Sequence, residues 1–109
     1  KENMIVRVHQ GARAEAIDAI LGYEAIREGL GIRFSDRFSR SLAQIERNPR
    51  LFARLESTRL SGEIRRARLP RFPYLVIYEF HANFVQILAV AHASREPDYW
   101  SSRRTAEGD

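Results

Sequence analysis

The chain has 109 residues, no cysteine and a net charge of +4. That length fits a single domain, and the lack of cysteine excludes disulfides, thiolate catalysis and zinc–thiolate sites. No apolar run approaches the roughly 20 residues of a membrane-spanning helix, and the start carries no hydrophobic signal segment, which predicts a cytoplasmic protein without a membrane partner.

The basic residues are almost all of one kind. Of 18 basic residues, 17 are arginine and the other is Lys1. Arginine suits bidentate contacts with phosphate or carboxylate, although a GC-rich genome would produce the same bias. The arginine excess is concentrated after residue 58, so the C-terminal half is expected to face a polyanion or an acidic protein partner.

The first half of the chain predicts one strand and a helical hairpin. Residues 4–9 are rich in β-branched side chains and predict a strand. Apolar residues at steps of three and four predict a helix over residues 12–28 and another over 32–47. Gly29 and Gly31 end the first helix, and Pro49 ends the second. The first apolar stripe is predicted to include Ala12, Ala16, Ile17, Ala19, Ile20, Tyr23, Ile26 and Leu30, and the second Phe34, Phe38, Leu42 and Ile45.

Three β runs follow, at residues 64–69, 74–80 and 84–92, after a connection over residues 51–60 and a turn at Ser61-Gly62. The short segment 81–83 predicts an antiparallel hairpin between the last two runs. In the last run, period two places residues 85, 87, 89 and 91 on one face and 84, 88 and 90 on the other, both apolar. The order β-α-α-β-β-β predicts an α+β fold, with the hairpin packed on one face of a mostly antiparallel sheet.

The other face of the sheet then lacks a cover from this chain. Its lining is either Tyr74, Val76, Tyr78 and Phe80 or Leu75 and Ile77, depending on which side the helices occupy. An exposed apolar sheet face marks a binding surface. An acidic, amphipathic partner segment would cover it and offset the arginines.

Two clusters of side chains have chemistry to offer. Arg66 and Arg68 share one side of their strand and, with Arg71, form a phosphate-sized positive patch; alternatively they protect an edge strand from pairing. His92 ends the central strand and serves either as an acid–base catalyst or as a structural hydrogen-bonding group. Tyr99 and Arg95 lie just beyond it.

Together these side chains fit a metal-independent RNA-cleaving site, in which arginine stabilises phosphorane charge and His92 or Tyr99 moves protons. Trp100 either stacks on a base or packs as an apolar plug. No metal-ligand spacing and no cofactor motif is present. The candidate catalytic residues are Arg66, Arg68, His92, Arg95 and Tyr99, and the candidate binding residues are Arg65, Arg66, Arg68, Arg71, Arg95 and Trp100.

The chain resembles the RelE/ParE superfamily of bacterial type II toxins over residues 4–103. The resemblance rests on the arginine-rich strand from Arg66, the sequence RFPY at residues 71–74, the tyrosine at Tyr78, and the sequence AVAHASREP at residues 89–97. It implies a plasmid-stabilising or growth-arresting toxin held silent by a cognate antitoxin, whose C-terminal segment wraps the toxin. The order of elements is also that of the superfamily.

The resemblance implies one of two activities. RelE-like members cut mRNA on the ribosome, with two basic residues that Arg66 and Arg68 match and a C-terminal tyrosine that Tyr99 matches. They also carry arginine at the positions of Leu75 and Ala93, and other nuclease branches use a glutamate, for which Glu79 or Glu63 would have to serve. Since these charges are missing, we expect a ParE-like, non-enzymatic inhibitor of DNA gyrase.

The alternatives are an mRNA interferase acting on ribosome-bound mRNA and a non-toxic basic interaction domain. We expect one toxin domain over residues 4–104. Residues 1–3 are interpreted as a cloning remnant or an alternative start. Residues 101–109 are polar, which predicts a frayed end, and residues 105–109 are expected to be a flexible tail.

Overall fold

The computed structural model describes residues 4–55 and 63–105. Within these residues two helices pack on a five-stranded sheet, which confirms the α+β prediction. In chain order the elements are β1 (Ile5–Val8), α1 (Gln10–Ile26), α2 (Leu30–Arg47), β2 (Ala53–Arg54), β3 (Glu63–Arg68), β4 (Tyr74–Phe80), β5 (Phe84–His92) and a 3-10 helix (Ser101–Arg103).

The sheet has the strand order β1-β5-β4-β3-β2. Every neighbouring pair is antiparallel except β1 and β5, which run parallel. The two-residue strand β2 falls in the segment predicted to be a plain connection, so that prediction was wrong there. The predicted turn at Ser61-Gly62 lies outside the described residues.

The helical hairpin forms where the sequence predicted it. Gly29 adopts the left-handed conformation, with φ of 89°, as expected of a glycine between two helices. The helices approach closely at Gly31, where an added Cβ would lie 2.6 Å from the carbonyl oxygen of Ile20. The Glu24 carboxylate accepts hydrogen bonds from the Gly29 and Gly31 amides, both at 2.9 Å, and so satisfies the start of α2.

The main core lies between the hairpin and the sheet. The predicted α2 stripe is confirmed, with Phe34 and Ile45 fully buried. The α1 stripe is narrower than predicted: its alanines are buried, but Ile17 is 49% exposed and Ile26 is 74% exposed. Ile26 is the last residue of α1.

A β-bulge in β5 changes which residues share a face. Ile77 of β4 pairs with Ala89, but Tyr78 pairs with Ile87, so Leu88 is an extra residue. An extra residue reverses the alternation beyond it. Val85, Ile87 and Val90 therefore face the helices, whereas Leu88, Ala89 and Ala91 face the other side. The uninterrupted period-two assignment of these residues was wrong.

The far side of the sheet is covered in part by the chain's own C-terminal segment. Tyr74, Val76, Tyr78 and Phe80 belong to the core under the helices, and Leu75 and Ile77 to the far side. Trp100 is only 6% exposed and packs on the far-side cluster. The expected open apolar face is therefore smaller than predicted, because the chain folds back over it.

Residues 101–105 are ordered by ion pairs, so the predicted fraying of this segment was wrong. Arg104 Nε lies 2.9 Å from Glu79 Oε2, and the Thr105 amide donates to Glu79 Oε1 at 3.1 Å. Glu79 is fully buried on β4, and His81 Nε2 lies 3.3 Å from Glu79 Oε1. A buried carboxylate requires a paired cation, and Arg104 supplies it. Residues 106–109 of the predicted tail lie outside the described part of the chain.

Candidate functional site

Five of the eight predicted site residues meet at a cleft of about 200 Å³ where β5 ends, which we call the His92 cleft. Its walls come from β3, β4, the end of β5 and the segment that follows it. The lining residues are Leu55, Arg66, Leu75, Ile77, Ala91, His92, Ala93, Arg95, Glu96, Pro97, Asp98, Tyr99 and Trp100. A long antiparallel pairing of β4 with β5 fixes the cleft in the rigid part of the sheet.

His92 is held in place by the turn that follows it. Its Nδ1 accepts a hydrogen bond from the Ser94 amide at 3.0 Å and lies 2.8 Å from Ser94 Oγ. The Tyr74 ring packs edge-on at 5.1 Å between ring centroids. One imidazole nitrogen is therefore committed to the backbone, which leaves the other for a ligand or a proton.

Tyr99 is tied into the protein by its hydroxyl group. The hydroxyl donates to Glu15 Oε2 at 2.9 Å, and the Arg95 guanidinium stacks on the ring at 3.7 Å. Burial, reinforced by the hydrogen bond and charge of Glu15, raises the pKa of Tyr99 to about 12, against the opposing effect of Arg95 and Arg103. The hydroxyl therefore remains protonated at neutral pH and points at a carboxylate, not into the cleft.

Glu15 is the residue that organises this region, and it lies outside the apolar stripe predicted for α1. Its carboxylate also accepts from the Val90 amide at 2.9 Å and from both terminal nitrogens of Arg103 at 3.1 Å. One signal was available: Glu15 stands three residues after Ala12 and four before Ala19. Both alanines are buried, so Glu15 borders their stripe.

The arginines of the predicted patch are dispersed. Arg66 lines the His92 cleft, while Arg68 is exposed and does not line it. Arg65 bonds Glu63 at 2.8 Å and the Phe52 carbonyl at 2.6 Å, which anchors β2 to β3. Arg71 belongs to a different cleft. Arg66, His92, Arg95, Tyr99 and Trp100 are thus brought together, whereas Arg65, Arg68 and Arg71 are not.

The described residues offer no metal centre and no membrane helix. Within residues 4–55 and 63–105, no group of three or more His, Cys, Asp or Glu side chains is placed to hold a metal ion. Over the same residues, neither helix has the length and apolar content that crossing a bilayer requires.

Comparison with known proteins identifies the family. The family model described as "ParE toxin of type II toxin-antitoxin system, parDE" matches residues 6–97. This chain belongs to the ParE toxin family. A solved structure titled "Chromosomal ParDE TA system from P. aeruginosa" is similar in fold, with a TM-score of 0.67 and 14% identity. The match covers 82% of this chain and 95% of that one. A comparison with curated proteins gave no significant match.

The cleft of this ParE-family toxin contains both positions at which the resemblance implied arginine in mRNA-cleaving relatives. Leu75 and Ala93 line it, and neither carries charge. The two glutamates considered as substitutes do not line it: Glu79 is buried against Arg104, and Glu63 pairs with Arg65. Leu75 and Ala93 therefore lie in the same cleft as His92 and Arg95.

Proposed function

We propose that this ParE-family toxin inhibits DNA gyrase by binding it, without a catalytic step of its own, and that a cognate antitoxin neutralises it. The observation that carries the proposal is the composition of the His92 cleft. Leu75 and Ala93 line it and carry no charge, at the positions where the superfamily resemblance implies arginine in ribosome-dependent nucleases. Cleavage of a phosphodiester needs fixed positive charge where the pentavalent phosphorus develops negative charge.

Proton transfer meets a second obstacle in the cleft. The Tyr99 hydroxyl is bonded to Glu15, and its raised pKa of about 12 keeps the proton in place. An acid–base catalyst works best with a pKa near the operating pH and a free path to the reacting atom. The other acid–base groups of the cleft are His92, whose Nδ1 already accepts from the Ser94 amide, and the exposed carboxylates of Glu96 and Asp98.

The first prediction concerns the target. The purified toxin is expected to stop gyrase from supercoiling relaxed plasmid DNA, and to accumulate DNA cleaved by gyrase, because it acts by engaging that enzyme. The assay compares the toxin alone, gyrase alone and the mixture. His92→Ala is expected to inhibit as the unaltered toxin does. Gyrase that supercoils normally at a large excess of toxin would sink the proposal.

An mRNA interferase is the second candidate, because Arg66, His92 and Arg95 do line one cleft. It predicts cuts at fixed codon positions in ribosome-bound mRNA, mapped by primer extension from translated and untranslated transcripts. It also predicts that His92→Ala abolishes growth arrest. Cleavage of translated mRNA together with unaffected gyrase would replace the gyrase proposal with this one.

The antitoxin proposal rests on charge and on exposed apolar side chains. The chain has a net charge of +4, and Ile17 and Leu21 lie one turn apart on α1 with exposures of 49% and 64%. The structure titled "Chromosomal ParDE TA system from P. aeruginosa" places a relative in a ParDE system. An acidic, amphipathic helix from the antitoxin would bury both side chains and offset the arginines.

The second prediction tests that surface. Leu21→Glu is expected to weaken the complex with the antitoxin at least tenfold, since it places a carboxylate in an apolar contact. Gln44→Glu, which adds the same charge at an exposed position of α2, serves as the control. Titration calorimetry with the purified antitoxin gives both affinities. Equal affinities for the two variants would show that the antitoxin binds elsewhere.

A further inference from the structure

A second cleft lies at the tip of the helical hairpin and shares no lining residue with the His92 cleft. Its volume is about 620 Å³, in the range of small-molecule sites. The end of α1, the start of α2 and the turn between β3 and β4 form its walls. We call it the hairpin-tip cleft, and the residues that matter are Arg27, Leu30, Arg33, Arg37, Arg71 and Phe72.

The hairpin-tip cleft carries an uncompensated positive charge. Arg27, Arg33, Arg37 and Arg71 line it, and none of them has an ion pair or side-chain hydrogen bond within the described residues. The one acid in the lining, Asp36, is bonded to Arg40 at 2.9 Å.

The nearby acid Glu24, also on the hairpin, forms no ion pair with these arginines: its carboxylate accepts hydrogen bonds from the backbone amides of Gly29 and Gly31. Some other arginines are paired, such as Arg103 with Glu15 and Arg104 with Glu79. Exposed arginines such as Arg47 and Arg68 form no ion pair among the described residues either, so the four cleft arginines are distinguished by lining one cleft together.

The backbone at Arg71 is a second observation. Arg71 has φ of 72°, a region that residues other than glycine rarely adopt. The turn is held by the hydrogen bond from the Leu69 amide to the Tyr74 carbonyl at 3.0 Å and by the bond from the Tyr74 amide to the Phe72 carbonyl at 2.8 Å. An unfavourable conformation that places a guanidinium at a cleft is the kind of strain found at ligand sites.

The floor of the hairpin-tip cleft is apolar. Phe72 is 7% exposed and packs on Phe34 at 5.1 Å between ring centroids, so the floor is part of the core. Leu30 lies beside it, partly buried. A ligand that fits must therefore combine several closely spaced negative charges with an apolar or planar part.

We propose that the hairpin-tip cleft binds a phosphate ester that carries a nucleobase, either a free nucleoside triphosphate or the end of a nucleic-acid strand. Arginine forks match phosphate oxygens in pairs, and four of them around one cleft exceed what a single carboxylate would need. The apolar floor receives the base. This site lies apart from the His92 cleft and does not depend on the gyrase proposal.

The third prediction tests the site with two variants. Arg71→Gly removes one guanidinium and keeps the turn, because glycine adopts a positive φ without a steric penalty. Arg33→Gln removes a second guanidinium from an exposed position of α2. Each is expected to weaken binding at least tenfold, the loss typical of a charge-assisted hydrogen bond. Arg47→Gln is the control, since it removes the same charge from the same helix roughly 20 Å away.

Titration calorimetry at low ionic strength would use three probes: GTP, inorganic triphosphate and a single-stranded DNA octamer. Binding of GTP in preference to the octamer identifies a nucleotide site, and the reverse identifies a strand end. Inorganic triphosphate binds more weakly than GTP if the apolar floor contributes. The proposal fails if no probe binds, if triphosphate matches GTP and the octamer, or if Arg47→Gln weakens binding as much as Arg71→Gly, the mark of a diffuse basic surface.

Discussion

Arg104→Ala is expected to lower the free energy of unfolding by about 3–5 kcal/mol, the range for removing one partner of a buried ion pair. Its partner Glu79 is fully buried on the central strand β4, and the Arg104 side chain is 3% exposed. Without the guanidinium, the carboxylate is left with the Thr105 amide and His81. Guanidinium chloride unfolding followed by circular dichroism, at neutral pH, measures the change.

The double variant Glu79→Gln/Arg104→Met is the control for this fourth prediction. It removes both charges and keeps much of the buried volume, so it is expected to regain most of the loss. Arg47→Ala, at an exposed position of α2, should change stability by about 0.5 kcal/mol or less. If Arg104→Ala and Arg47→Ala have the same free energy of unfolding, the segment after Trp100 does not stabilise the fold. The charge of Glu79 must then be offset by another group.

The regular parts of the fold followed from the sequence because their signals are local. The period of Phe34, Phe38, Leu42 and Ile45 predicted α2 and its buried face correctly. The β-branched run of β5 predicted a central strand, and the strand has neighbours on both sides. Such patterns depend on residues within two turns or one strand of each other, so no knowledge of the partner elements is needed.

The errors arose where the position of a residue depends on contacts with a distant part of the chain. The extra residue Leu88 cannot be seen in a run that is apolar on both faces, because either register buries apolar side chains. The ion pair of Glu79 with Arg104 spans 25 residues, and the bond of Glu15 with Arg103 spans 88. The polar C-terminal segment therefore predicted fraying, because its pairing with the acids Glu15 and Glu79 is not visible in the local sequence.

The candidate site shows the same division. His92, Arg95 and Tyr99 were expected together because they are close in sequence beyond one strand end. Arg66 joined them because β3 runs antiparallel to β4 and β4 to β5. Arg71 is close to Arg66 in sequence, but the turn at Leu69 carries it to the hairpin-tip cleft. Proximity in sequence could not separate the two clefts, since a turn lies between those arginines.

Glu15→Ala is expected to lower the free energy of unfolding by about 3 kcal/mol, the fifth prediction. The parallel strand β1 covers β5 only as far as Ile87, which leaves the next part of that edge without a strand partner. There Glu15 accepts from the Val90 amide while Arg103 donates to the Leu88 carbonyl at 2.9 Å. Without the carboxylate, the Val90 amide, the Tyr99 hydroxyl and the Arg103 guanidinium lose this acceptor. Each group that stays buried without a partner costs about 1–3 kcal/mol of stability.

The pKa of Tyr99 provides a local readout that global unfolding does not. Glu15 raises the pKa of Tyr99 by accepting its hydrogen bond and by its charge, in addition to the larger effect of burial. Glu15→Ala should therefore lower this pKa from about 12 towards 10, but not all the way, because burial remains. Titration of tyrosinate absorbance measures it, and Tyr99→Phe identifies which transition belongs to this residue.

Asp18→Ala is the matched control, since Asp18 is an exposed acid on the same helix. It should leave the stability and the Tyr99 transition close to those of the unaltered chain, although it removes a charge that helps to raise the pKa of Tyr74. A loss confined to Glu15→Ala would establish that one carboxylate holds the open edge of β5, the stacked pair of Arg95 and Tyr99 and the C-terminal segment in a single unit. Equal effects of Glu15→Ala and Asp18→Ala would show that Glu15 acts only as a surface charge. Another group would then have to hold the wall of the His92 cleft in place.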